Sequence, residues 1–156
     1  MLVAMSGQRG PVLDRADWHL EDAGSWQRAA AHIAPVWVHL VEHGYGTADT
    51  VATIGGSLPL DRARTPTQLF GEFADYALIR DDFDEAGNEI LDRYQQYLGD
   101  LEEGIVHYAR DGDGPYSIID SWENVAEFGS YIGLPVWGHR FLRAATRAVR
   151  RIRRGS

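Results

Sequence analysis

Three histidines carry the clearest chemical spacing in the chain: His32, His39 and His43. On one continuous helix, residues four and seven apart project within about 20° of one line, so the imidazoles would form a row. A pair at i and i+4 can chelate a metal, and Glu42, a carboxylate from elsewhere or His19 could complete a site. The chemistry would then be that of a zinc-dependent hydrolase or a metal-binding regulator. The competing reading makes the row a packing feature at the border of the apolar stripe, each ring bonded to a backbone carbonyl. No His-Glu-x-x-His pair is present, so spacing leaves both open. The expectation is a protein without a resident cofactor, zinc being the exception.

Carboxylates are the other abundant chemistry. Asp75, Asp81, Asp82, Asp84, Glu85, Glu89 and Asp92 fall within eighteen residues, and Asp100, Glu102 and Glu103 follow soon after. General acid or base work needs burial or a close charge to move a carboxylate's pKa, and the polar sequence here predicts exposure. Two uses remain: a solvated face, or a surface that receives a basic partner. The partner-binding candidates are Asp75, Asp81, Asp82, Asp84, Glu85, Asp100, Glu102 and Glu103.

The charge distribution supports that surface. All 15 basic residues are arginine, and seven lie at 140–156 without a single acid, so that stretch carries +7. The remaining eight arginines face 23 acids, so residues 1–139 carry −15 within a net charge of −8. Such a body repels phosphate, which makes nucleic acid an improbable partner. The arginine tail offers an anionic membrane or nucleic acid a second mode of attachment, or docks on its own acidic body.

Several chemistries lack their residues. With no cysteine there is no disulfide, thiolate nucleophile or Cys-ligated metal, and a reducing cytoplasm is the expected compartment. Asp111-Gly112-Asp113-Gly114 fails as a calcium loop, because its sixth and twelfth positions are Tyr116 and Trp122. Gly55-Gly56-Ser57-Leu58 lacks the glycine that a nucleophile elbow needs after its serine. No run of eighteen apolar residues exists to span a membrane.

The elements that must position these residues are mostly helices. With 156 residues and 44% apolar side chains, the chain is expected to form a single compact domain, mainly α with minor strand content. Residues 1–12 are expected to be loose, 13–138 to form the acidic helical domain, and 139–156 a basic helix packed on it or extending from it. Apolar spacing predicts a helix through Ile33, Trp37 and Leu40 to Gly44, kinked or restarted at Pro35. Thr65-Pro66-Thr67-Gln68 reads as a capping box with proline in the first turn. A long helix is expected from Asp84 through Ile90, Tyr97 and Leu101 to Tyr108. Tyr116 to Ile119 is the strand candidate, Ser121 the cap of the next helix, and Phe141, Ala145, Val149 and Ile152 the stripe of the last. Trp18, Trp26, Trp37, Trp122 and Trp137 are taken as core or interface anchors.

Trp18-His19, Ala31-His32-Ile33, Gly87-Asn88, Tyr97-Leu98 with Asp100, and above all Asp120-Ser121-Trp122-Glu123-Asn124 together resemble an uncharacterised family of small bacterial domains. Some of its members are encoded beside polymorphic toxins and are taken to be their immunity proteins. The resemblance spans roughly residues 17–130 and leaves the arginine tail outside. It implies a binding module more than an enzyme, an immunity protein or antitoxin that occludes a basic toxin, and it carries over no catalytic residue.

Overall fold

A computed structural model describes residues 11–56 and 58–155. The expectation of a loose N-terminus therefore falls outside the described residues up to residue 10, but its last member does not fit. Val12 opens a strand, β1 (Val12–Arg15), which pairs antiparallel with β2 (Ala77–Ile79). Val12 faces Ile79 and Asp14 faces Leu78, so the register slips by one residue between them. A bulge of this kind re-aims the side chain that follows it, and here it turns Asp14 into the interior.

The chain then runs through short helices: α1 (Leu20–Ala23), α2 (Trp26–Ala30), α3 (Ala34–Glu42) and α4 (Ala48–Thr53). Pro35 sits in the first turn of α3, where its missing N–H has no intrahelical role, so it starts a helix instead of kinking one. Residues 31–33 are consequently a turn, and His32 leaves the axis that carries His39 and His43. Every residue of α3 from Ala34 to Val41 is buried, which makes it the central element. Trp37 packs on Phe70 of α5 (Pro66–Ala74), and His39 on Phe128 of α8 (Trp122–Ile132). The capping box of α5 forms as read: Thr65 accepts from the Gln68 amide, and the Gln68 side chain accepts from the Thr65 amide.

The long helix expected from 84 to 108 is two pieces. Asp84 caps α6 (Glu85–Leu91) by accepting the Gly87 amide, a turn at Asp92-Arg93 intervenes, and α7 (Tyr94–Glu102) follows. Gly104 ends α7 with φ of 77°, a left-handed conformation that closes the helix through Ile105 N donating to the Asp100 carbonyl. Ile105 and Tyr108 stay buried but in irregular chain. The strand expected at Tyr116–Ile119 is a 3-10 turn, Pro115–Ser117, followed by one bridge between Ile118 and Arg110. Ser121 stands at the N-cap of α8 without capping it through its side chain.

The Asp120–Asn124 segment turns out to be a clamp. Asp120 accepts from the backbone N–H and hydroxyl of Thr67 at the start of α5, where the helix dipole favours an anion. Trp122 donates its indole N–H to the Arg64 carbonyl, and the fully buried Asn124 bonds Ala109 through both N–H and carbonyl and also the Ile119 carbonyl. Last comes α9 (Val136–Gly155), held to the body by Arg143 and Arg147. Of the five tryptophans only Trp37 is fully buried; Trp137 is 74% exposed. The mainly helical class with minor strands is as expected.

Candidate metal centre

Asp14, His19 and His32 meet from three separate elements: the bulged strand, the residue before α1, and the turn between α2 and α3. Each offers one ligand atom, and the three atoms lie within 4.8 Å of one another. Asp14 Oδ1 is 2.7 Å from His19 Nε2, and Asp14 Oδ2 is 3.4 Å from His32 Nε2. Zinc bonds of about 2.0–2.1 Å in a tetrahedral site place ligand atoms roughly 3.4 Å apart. The Asp14–His32 separation already has that value. The Asp14–His19 contact is a hydrogen bond that a metal would open by less than about 1 Å, on a half-buried ring free to yield.

The surroundings prepare the carboxylate. Burial alone would raise the Asp14 pKa, but hydrogen bonds from His32, Tyr94 and His19 hold it below the ordinary carboxylate value. Tyr94, at the start of α7, donates its hydroxyl to Asp14 Oδ2 at 2.7 Å. Its burial and the Asp14 charge keep that phenol protonated. On the other side of His19, Tyr116 Oη is 3.0 Å from Nδ1. Burial and the charges of Asp22 and Asp14 raise the Tyr116 pKa and keep the phenol protonated. The Asp14 carboxylate only accepts, so His19 donates through Nε2, and in that tautomer Nδ1 accepts from Tyr116. The His19 proton then sits on Nε2, facing Asp14, at the position a metal would take.

His32 is held from behind. Tyr97 Oη lies 3.1 Å from the His32 carbonyl and 2.6 Å from Tyr108 Oη. A carbonyl only accepts, so Tyr97 gives its single proton to His32 and takes that of Tyr108. Both phenols are buried and their pKa values raised, which keeps the relay intact. His32 Nδ1 is buried and has no hydrogen-bond partner among the described residues. His19, His32 and Tyr116 line a cleft of about 350 Å³ together with Gln95, Leu98 and Glu102 of α7. Three protein ligands beside an open space form the layout of a metal site with an exchangeable position.

The row of three histidines does not form. His39 and His43 do stand one turn apart, but their rings stack at 4.0 Å and His43 Nδ1 donates to the His39 carbonyl at 2.8 Å. Burial, with the neighbouring His43, lowers the His39 pKa from 6.5 to about 4, so this ring is neutral. Glu42, the ligand expected to join them, accepts a fork from Arg62 at 2.5 and 2.8 Å and the Leu60 amide at 2.9 Å. The Arg62 guanidinium lies 3.7 Å over the Trp122 ring. The pair borders a cleft of about 490 Å³ whose one carboxylate, Glu42, is already paired with Arg62.

The acidic candidates separate into three kinds. Asp82 and Asp100 are buried, which corrects their assignment to a partner surface. Asp100 accepts a guanidinium fork from Arg143 at 2.8 Å on both oxygens, with the Tyr131 hydroxyl at 2.6 Å. Its burial is outweighed by these bonds, so its pKa is lowered. Glu103 receives Arg147 on its carboxylate and Arg150 on its carbonyl. Asp75, Asp81, Asp84, Glu85 and Glu102 are exposed. Sequence reasoning passed over Asp14, Tyr94 and Tyr116 as site residues, and the only signal toward them was His19, offered as an alternative to His32 beside His39 and His43. No family model, curated protein or solved structure matches the chain.

Proposed function

We propose that the protein binds a divalent transition metal, zinc by its donor set, at Asp14, His19 and His32, and that the open face of the ion in the adjoining cleft serves hydrolysis. One observation carries this reading: three convergent ligand atoms, two of them on buried side chains, beside a cleft that reaches solvent. Two imidazoles and one carboxylate suit zinc and its neighbours in the first row better than magnesium or calcium. The ion would take the Nε2 lone pair of the other His19 tautomer, whose Nδ1–H would then donate to Tyr116 Oη, and would offset the buried Asp14 charge. Bound there with a water, zinc lowers the pKa of that water toward neutrality and polarises a carbonyl or phosphoryl oxygen. Tyr116 and Glu102, which line the same cleft, would be the groups to hydrogen-bond a substrate.

The test is metal analysis and calorimetric zinc titration of protein purified without a histidine tag. One zinc per chain is expected, lost in Asp14→Asn and His32→Ala and kept in His39→Ala. Absence of binding, or its loss only with His39→Ala, overturns the reading. Zinc-dependent turnover of activated esters or phosphate esters that disappears with His32→Ala would establish the reaction class.

A second reading is a docking surface for a basic protein, such as a toxin effector. It is favoured by the exposure of Asp81, Asp84 and Glu85 in consecutive turns of a body that carries −15. Charge reversal at these three positions should slow association with a basic partner and flatten its salt dependence.

A further inference from the structure

The α9 helix is mounted with its polar side inward. Arg143 forks onto Asp100, Arg147 reaches Glu103, and His139 is buried against Arg93 and Tyr131. At about 100° per residue, Trp137, Phe141, Ala145, Val149 and Ile152 share an arc of about 120° on the opposite side. That arc faces away from the body: Trp137 is 74%, Phe141 68%, Ile152 72% and Val149 47% exposed. Arg140 and Arg151 border one edge of it and Arg153 the other, all three exposed. Apolar side chains that could have covered the core point outward instead, and the ion pairs that fix the helix keep them there.

We infer that this face of α9 lies in the plane of an anionic lipid surface. Charge complementarity selects that occupant: with Arg143 and Arg147 turned to the body, the stretch 140–156 still sets exposed Arg140, Arg151 and Arg153 beside the stripe and contains no acid. A bilayer of anionic lipid accepts the aromatic stripe in its acyl boundary and the flanking guanidiniums at its headgroup phosphates at the same time. A second copy seated stripe to stripe would bring Arg140 and Arg151 against their own counterparts. The helix is not apolar enough to cross a membrane, so the contact is interfacial. Because the helix is already folded and pinned, insertion needs no ordering of the chain, and the anchor would hold the body and its cleft at the surface.

The experiment uses the full chain with vesicles of phosphatidylcholine alone and of phosphatidylcholine mixed with phosphatidylglycerol, read by co-flotation and tryptophan emission. Flotation is expected only with the anionic vesicles, with a blue shift that Trp137→Phe removes. Phe141→Ser should weaken binding about tenfold or more, from the apolar area withdrawn. Arg140→Gln and Arg151→Gln should each weaken it about fivefold. All four positions are exposed, so circular dichroism should show the fold unchanged. No flotation with anionic vesicles, or flotation indifferent to Phe141→Ser, overturns the inference. So does concentration-dependent dimerisation in free solution that Phe141→Ser abolishes, which would assign the stripe to a second copy.

Discussion

The molecule contains two histidine clusters that differ in how they are assembled. His39 and His43 come from one helix and meet through the i, i+4 spacing that a chelating pair would use, yet their rings stack on each other and His43 Nδ1 is spent on the His39 carbonyl. Asp14, His19 and His32 come from a bulged strand and two turns, and their ligand atoms converge beside a cleft. Spacing on a helix brings rings together, but a metal also needs a carboxylate that nothing else has claimed. Glu42 is claimed by Arg62, whereas the partners of Asp14 are the two imidazoles themselves, a phenol and a backbone amide. The buried carboxylate decides which cluster has chemistry available to it.

The largest expected effect tests that difference directly. Asp14→Asn should lower zinc affinity by about 100-fold or more, since ligand loss exceeds the 10–100-fold of outer-shell changes. It should also destabilise the metal-free fold by about 3 kcal/mol in urea unfolding, because a buried charge with several donors is replaced by an amide. His43→Ala should leave zinc titration unaltered. Equal loss in both variants would break the comparison, since it would tie both clusters to one metal.

Next in size is a pH effect that belongs to the other cluster. The folded pKa of His39 is about 4 against 6.5 for the free side chain, so between those values the unfolded chain binds the proton better. Stability therefore falls as pH drops from about 6.5 toward 4, by roughly 2 kcal/mol at pH 5. Asp14 works in the same direction but lower: its depressed pKa contributes stability that is lost only as pH falls past the ordinary carboxylate range. His39→Phe removes the titrating group while keeping a ring against Phe128, and the loss between pH 7 and pH 5 should shrink by about that amount. An unchanged loss would move the acid sensitivity elsewhere.

A third measurement ranks the two carboxylates. Glu42→Gln should cost about 1 kcal/mol, less than Asp14→Asn, because the Arg62 partner is 53% exposed and water can replace it. Equal costs would mean that burial of the carboxylate is not what separates the clusters.

How much of this was legible depends on the distance in sequence over which each contact is made. The capping box at Thr65 and Gln68 is decided within a few residues and was readable, and at Pro35 the same short range narrowed the choice to a kink or a new helix, of which the structure has the second. The stripe on α9 was readable as a stripe but not as an exposed one, because the Arg143–Asp100 fork that turns it outward joins residues 43 apart. Asp14 was hidden for the same reason. Its inward aim comes from a bulge against β2 and its main phenol donor is 80 residues away, so in sequence it looks like any acid near a loose end. Asp82 and Asp100 were misread as surface by the same logic, since their burial and partners come from distant parts of the fold. His32 was grouped with His39 and His43, but a turn of three residues separates it from their helix and sets it beside Asp14 and His19 instead.

The smallest expected effect separates the two forces acting within the stacked pair. Burial is the larger cause of the lowered His39 pKa and the His43 charge the second, with Glu42 opposing both. His43→Ala removes only the second. At pH 7 it should cost about 0.5–1 kcal/mol, from the lost hydrogen bond to the His39 carbonyl and the ring contact. At pH 5 two effects then oppose each other: those contacts are still missing, but a protonated His39 no longer faces a charged neighbour, so its folded pKa moves back toward 6.5. The acid-induced loss of stability should therefore be smaller in His43→Ala than in the parent protein, and the two unfolding curves should lie closer together at pH 5 than at pH 7. A gap that widens at pH 5 would show that His43 supports the charged form of its neighbour. The stacked pair would then behave as a proton-sharing site and not as packing, and the contrast with the Asp14 cluster would lose its basis.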